Sequence, residues 1–186
     1  MYKQSIKYNA GNICRYSKDS QKENKGMKNT VVVSAFPCCG KTYAFENYQD
    51  KYSILDSDSS QFSWIYVDDG NNGLRKERNP EFPSNYVEHI KENIGKVDII
   101  FVSSHLQVRQ AMADSGIRYC TVYPKPEMLN EWVGRMYRRG NDDNFIKFQI
   151  EHWEEFMHNI IFEPYGFGLY RLGNNEYLDL DFLCKW

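Results

Sequence analysis

The sequence predicts an α/β protein built on a parallel sheet of about five strands. Two observations carry this. Short runs rich in β-branched and aromatic residues recur along the chain, and helical stretches separate them. A strand–helix alternation folds into a sheet covered by helices on both faces, because each crossover must pack back on the sheet. A chain of 186 residues suits one such domain. Residues 1–28 are polar, with no periodicity, and read as an extension that composition leaves disordered. The domain is expected over residues 29–186.

The first strand is predicted over residues 30–36, where Val31, Val32 and Val33 form the kind of run that is buried on both faces. A glycine-bearing turn and a helix over 41–49 follow. Further strands are expected at 52–55, 97–102 and 120–123, with a weaker one at 169–172. Helices are expected at 86–94, after Pro83 and Ser84, and at 107–114. In residues 129–140, Leu129, Trp132, Val133, Met136 and Tyr137 follow the i, i+3, i+4, i+7, i+8 spacing of one apolar helical face, and Gly140 suits the end of that helix. Residues 141–144 offer caps for a long helix to about 162, with Ile146, Ile150, Trp153, Met157 and Ile160 as its buried stripe. Residues 61–85 are the least regular part of the domain.

Composition excludes several classes. The net charge of −2 supplies no bulk attraction to nucleic acid or acidic membranes, so nucleic acid is not the expected partner. No apolar run reaches the ~20 residues of a membrane span, and the polar N-terminal stretch has no signal-peptide core. The five cysteines (Cys14, Cys38, Cys39, Cys120, Cys184) lack C-x-x-C spacing. They suggest neither a disulfide framework nor a zinc site, and free thiols fit the cytoplasm.

The chemistry centres on Ala35-Phe36-Pro37-Cys38-Cys39-Gly40-Lys41-Thr42, which leaves a buried strand and opens a helix. That context makes the segment a P-loop, or Walker A, motif, with Ala35 in place of the usual first glycine. The loop Pro37-Cys38-Cys39-Gly40, through the backbone N–H groups of its non-proline residues, and the helix N-terminus would wrap phosphate. Lys41 would reach the β- and γ-phosphates, and the Thr42 hydroxyl would ligate Mg²⁺. A thiol at a helix start can have a lowered pKa, which makes redox sensitivity of Cys38 or Cys39 conceivable; small side chains that fit the loop are the plainer reading.

The expected third strand ends in Ser103-Ser104-His105 without a carboxylate, and no guanine-reading N-K-x-D occurs. This disfavours a GTPase or a motor-like ATPase. The acids stand instead after the second strand, as Asp56-Ser57-Asp58. Together with the loop, they resemble the nucleoside monophosphate kinase-like superfamily of small P-loop kinases, in particular the D-x-D of shikimate kinase-like members. The resemblance covers about residues 30–60 plus the helix that ends at Gly140, and the middle of the chain lacks the glycine-rich shikimate-binding segment. It implies a three-layer kinase fold, ATP and Mg²⁺ as cofactors, Asp56 near the metal, and Asp58 as substrate contact or general base. It also implies a lid helix whose arginines (Arg135 and Arg139, with Arg138 beside them) neutralise charge on the transferred phosphoryl. An ordinary capped turn and an ordinary solvated helix face are the alternatives for these two segments.

The acceptor is expected near the 61–85 insertion. There, rings such as Trp64 and Tyr66 offer stacking, and Arg75 or Arg78 would clamp a phosphate. His105 lies at the C-terminal end of a predicted parallel strand, with Arg109 a turn beyond, where open α/β sheets bind ligands. The leading expectation is a phosphotransferase acting on a nucleoside or deoxynucleoside monophosphate. A hydroxyl acceptor with Asp58 as base, and an ATP-binding regulator without transfer, stay open.

Overall fold

The computed structural model of the chain describes residues 28–68, 70 and 73–183. The expected N-terminal extension, apart from Lys28, lies outside them, as do Cys14, Asp69 and Cys184. Five parallel strands form the main sheet: β1 (Val31–Ala35), β2 (Ile54–Asp56), β5 (Ile99–Ser103), β6 (Cys120–Pro124) and β7 (Gly168–Leu172), in the order β2-β5-β1-β6-β7. Helices α1 (Lys41–Asn47), α3 (Ser84–Asn93), α4 (Leu106–Asp114), α5 (Leu129–Arg139), α6 (Asp143–Glu151) and α7 (Trp153–Ile161) provide the crossovers, and α8 (Leu180–Leu183) follows β7. Among the described residues, no helix is long and apolar enough to cross a membrane.

Period-2 alternation divides the core. Val33, Ala35, Ile99 and Phe101 pack with Ala44 of α1 and with Trp132 and Met136 of α5. Val32, Ile100 and Val102 pack with Tyr86, Val87 and Ile90 of α3 and with Val108 and Met112 of α4. Both faces of β1 and β5 are therefore dry, which explains why their sequences read as unbroken apolar runs. Each fully buried aliphatic or aromatic side chain contributes roughly 1.5–3 kcal/mol.

Two expectations change. Residues 61–85 are not irregular: α2 (Ser60–Ser63) leads into an antiparallel ribbon of β3 (Trp64–Asp68) and β4 (Leu74–Arg78), with Trp64 opposite Arg78 and Tyr66 opposite Lys76. The long helix after residue 141 is broken at His152 (φ −107°, ψ 10°), which ends α6 and precedes α7. The His152 backbone N–H and its Nδ1 both lie within hydrogen-bond reach of the Phe148 carbonyl, at 3.1 and 3.0 Å. A side chain that competes for a helical carbonyl in this way bends a helix. Ile150, counted in the buried stripe, is 43% exposed as a result. The expected ends hold: Gly140 closes α5 with φ 80°, and Asp142 caps α6 through the Phe145 N–H at 3.0 Å.

From β1 the chain runs through α1 to β2 at one edge of the sheet, and from β6 it runs through α5–α7 to β7 at the other. Neighbouring strands that diverge open a crevice at their C-terminal ends, where open sheets take ligands. The turn after β1 sits at that crevice.

At the opposite end of the sheet, the Asp98 carboxylate accepts from Lys28 Nζ (2.8 Å), Ser53 N (2.8 Å) and Ser53 Oγ (2.6 Å), tying the start of β2 to that of β5. Lys28 and Ser53 together pull its pKa from 3.8 to about 2. A lowered carboxyl pKa stabilises above its unfolded value and is lost as pH falls through the folded one. Asp98→Asn should therefore cost about 1 kcal/mol near neutral pH, allowing for solvent screening. Denaturant titrations should show the difference from wild type closing between pH 3.8 and about 2.

Candidate functional site

The β1–α1 turn has a backbone that few side chains tolerate. Gly40 has φ 105° and Cys38 φ 62°, so the chain turns twice through left-handed space before α1 begins at Lys41. A Cβ at Gly40 would also stand 3.4 Å from that of Tyr177. Ala35, where a glycine is usual, is the last residue of β1 and has no such requirement. Three bonds brace the turn: Trp132 Nε1 donates to the Pro37 carbonyl (2.9 Å), Leu178 N to the Cys39 carbonyl (2.9 Å), and Cys39 Sγ to the Val122 carbonyl (3.6 Å). No bond among the described residues engages the N–H groups of Cys38, Gly40, Lys41 or Thr42. These donors and the positive end of α1 suit an anion.

Lys41 folds back and donates to the Ala35 carbonyl at 2.6 Å. Burial lowers its pKa, and the Asp56 carboxylate is among the groups opposing that shift. Asp56, at the end of β2, is half-buried; burial raises its pKa, and Lys41 lowers it. Tyr86 of α3 holds this end in place by donating to the Ser57 carbonyl (2.6 Å) and accepting from Ser103 N (3.3 Å), so the ends of β2 and β5 share one ring. Asp58 is exposed, and both its oxygens accept from Ser60, from N at 2.9 Å and from Oγ at 2.7 Å. These two bonds form a local side-chain turn just before α2. Burial raises the pKa of Cys38 and lifts that of Cys39 to about 12, so the loop thiols are protonated, contrary to an activated-thiol reading.

The arginines of α5 separate. Arg135 was expected to face the phosphates; its side chain is instead 3% exposed, packed between the rings of Trp132 (4.0 Å) and Tyr177 (4.1 Å). Its Nε donates to Glu131 (2.9 Å) and its Nη1 to the Glu176 carbonyl (2.8 Å), while Nη2 is buried without a partner. Trp132 is one turn back on the same face, so Arg135 lies on the helix's inner side. Arg138 is exposed and stands 3.6 Å from Glu131. Arg139 is exposed and stands near enough to the Cys38 thiol, at the edge of the turn, to act on its pKa. A cleft of ≈ 780 Å³ is lined by the turn, Thr42, these three arginines, and Tyr177, Leu178 and Asp179. This is within the range of small-ligand sites.

On the β5 side, Arg78 stacks on Trp64 (4.3 Å) and lies close enough to His105 to act on its pKa. Desolvation first, then the Arg78 charge, holds His105 below its ordinary 6.5, so it is neutral at pH 7. Its Nδ1 meets Ser103 Oγ at 3.2 Å, and it makes no side-chain cap to α4. Arg75 lies on the opposite face of the ribbon from Arg78 and pairs with Glu77 at 2.6 Å, so it is not brought to the site. Arg109 is likewise engaged inside the protein. It is 1% exposed, ion-paired with Glu163, and donates to the carbonyls of Ser104 and Asn159. It fastens α4 to α7 and anchors the end of β5.

Thr42 and Asp56 offer hard oxygen donors, and among the described residues no three acidic, His or Cys side chains converge as a metal cage. Hard oxygens of this kind are the donors Mg²⁺ takes, one or two from protein and the rest from phosphates and water. Sequence reasoning missed Tyr86 and Tyr177, whose roles depend on elements distant in the chain.

Removing Arg109 leaves the Glu163 carboxylate buried and unpaired. Arg109→Leu should destabilise the fold by about 3–5 kcal/mol, whereas Arg139→Ala should leave the denaturation midpoint nearly unchanged. Equal midpoints for the two variants would contradict this division of the arginines.

No protein-family model matches the chain and no curated protein matches it, so function has to be argued from the geometry of this site.

Proposed function

We propose that the chain is a P-loop phosphotransferase that moves the γ-phosphoryl of ATP to a nucleoside or deoxynucleoside monophosphate. The observation that carries this reading is the 36–40 turn: unengaged N–H groups at a helix start, with Lys41, Thr42 and Asp56 on one side and Arg139 on the other. In this reading the N–H groups hold the phosphates, and Lys41 exchanges the Ala35 carbonyl for a phosphate oxygen. Arg139 meets the charge that builds on the transferred group. Thr42 and Asp56 would hold Mg²⁺, which neutralises phosphate charge when bound. The nucleoside end of the donor lies along Tyr177 and Leu178 in the larger cleft.

The placement of the acids and bases supports this acceptor class. A hydroxyl acceptor needs a carboxylate to take its proton, and Asp58 is occupied by Ser60. A monophosphate is already ionised and needs cations, which Arg78 and Lys41 supply. His105, being neutral, donates or accepts without adding charge.

The test is ADP formation with Mg²⁺ across a panel of ribo- and deoxynucleoside monophosphates. One or two acceptors should stimulate turnover; Lys41→Ala should abolish it, and Arg139→Ala should lower kcat by about 10²–10³. Asp58→Asn should cost less than about tenfold. Turnover that survives Lys41→Ala contradicts the site, and ATP binding that no acceptor stimulates points to a nucleotide-binding regulator.

A further inference from the structure

The β3–β4 ribbon stands apart from the main sheet as a separate two-stranded sheet. Its root is fixed: Asn79 donates its backbone N–H to the Ser63 carbonyl (3.0 Å) and its side-chain amide to the Phe62 carbonyl (2.9 Å). Residues opposite each other in an antiparallel pair project to the same face, and the faces alternate along each strand. The register therefore sorts the side chains. Trp64, Tyr66, Lys76 and Arg78 share one face, with Asp68 and Leu74 at its tip; Ile65, Val67, Arg75 and Glu77 share the other.

The two faces differ in chemistry. On the second, Arg75 pairs with Glu77 at 2.6 Å, and Ile65 and Val67 are half-buried. On the first, Lys76 Nζ lies 4.7 Å and Arg78 Cζ 4.3 Å from the centre of the Trp64 ring. Neither cation has a carboxylate partner among the described residues. Contact with a ring orients a cation without neutralising it. The Asp68 carboxylate is turned into the loop, where it accepts from Gly70 N at 2.8 Å. Tyr66 and Leu74 are 67% and 71% exposed, and the Tyr66 ring has no ring partner among the described residues.

Two unneutralised cations beside two aromatic rings fit a polyanion that carries flat faces. Single-stranded nucleic acid is such a ligand: its phosphates meet Lys and Arg, and its unpaired bases stack on aromatic side chains. An acidic peptide brings the charge without the rings, and a duplex brings rings already stacked on one another. A face this exposed is an open platform and not a pocket for one nucleoside. We propose that the Trp64–Arg78 face of the ribbon binds single-stranded nucleic acid, with phosphates on Lys76 and Arg78 and a base stacked on Tyr66. The net charge of −2 supplies no long-range attraction, so the contact is local and spans about two phosphates. It does not depend on the phosphotransferase reading.

The test is fluorescence anisotropy of labelled oligothymidylate and oligouridylate of about ten nucleotides, titrated with the full chain at low salt and without ATP. Saturable binding is expected, with log affinity falling against log salt at a slope of about −1.4, roughly −0.7 for each phosphate. Lys76→Ala should weaken binding and bring the slope to about −0.7. Arg75→Ala removes the same charge from the opposite face and should leave the affinity within about twofold. Tyr66→Ala should weaken binding by about tenfold, and Tyr66→Phe should retain it. All three side chains are exposed, so the fold is not at stake. Absent saturable binding, equal losses in Lys76→Ala and Arg75→Ala, or an unaffected Tyr66→Ala would overturn the assignment. So would thymidine monophosphate, a duplex or polyglutamate binding as tightly as the single strand. A chain that binds the oligonucleotide but phosphorylates no monophosphate would count against the phosphotransferase reading alone.

Discussion

The site depends on one constraint: residues 36–40 must pass through left-handed backbone twice within three residues and still be held rigidly. Gly40 accepts its φ of 105° without a Cβ penalty, and Cys38 does not. The fold fastens the strained segment from outside. Trp132 from α5 and Leu178 from the segment after β7 each bond a carbonyl of the turn, and Cys39 is buried against β6. With the Pro37 and Cys39 carbonyls tied outward, the N–H groups of Cys38, Gly40, Lys41 and Thr42 are left for an anion. The elements that line the donor-side cleft are those that brace its floor, so the cleft and the turn are parts of one packing arrangement.

Charge is divided in the same way. Arg109 and Arg135 are both buried, the first ion-paired with Glu163 and the second packed between two rings. Arg78 and Arg139 reach the surface of the site. A buried guanidinium with fixed partners cannot follow charge that appears only in a transition state without exposing those partners. The arginines that remain accessible are the ones able to do so.

How much was legible follows from which signals are local. The five strands and the helices between them were readable because burial on both faces leaves continuous apolar runs, as in residues 31–33 and 99–102. The turn was readable because Gly40, Lys41 and Thr42 sit together in sequence. The β3–β4 ribbon was not read, although Trp64, Tyr66 and Asp68 alternate and the Gly-Asn-Asn-Gly stretch at 70–73 is a hairpin signal. Arg135 and Arg139 were indistinguishable on a helical wheel, because what separates them is Tyr177, 42 and 38 residues further along the chain. Asp58 looked like a base because its tie to Ser60 depends on the local turn geometry.

The most direct measurement is calorimetric titration of the full chain with ATP and Mg²⁺, alongside Lys41→Ala and AMP as a ligand lacking the outer phosphates. The account predicts saturable ATP binding that weakens by about tenfold or more without Lys41 and a clear preference for ATP over AMP at the same site. Failure to bind any nucleoside triphosphate, or binding indifferent to Lys41 and to the outer phosphates, would contradict the assignment of residues 36–42 as a phosphate cradle.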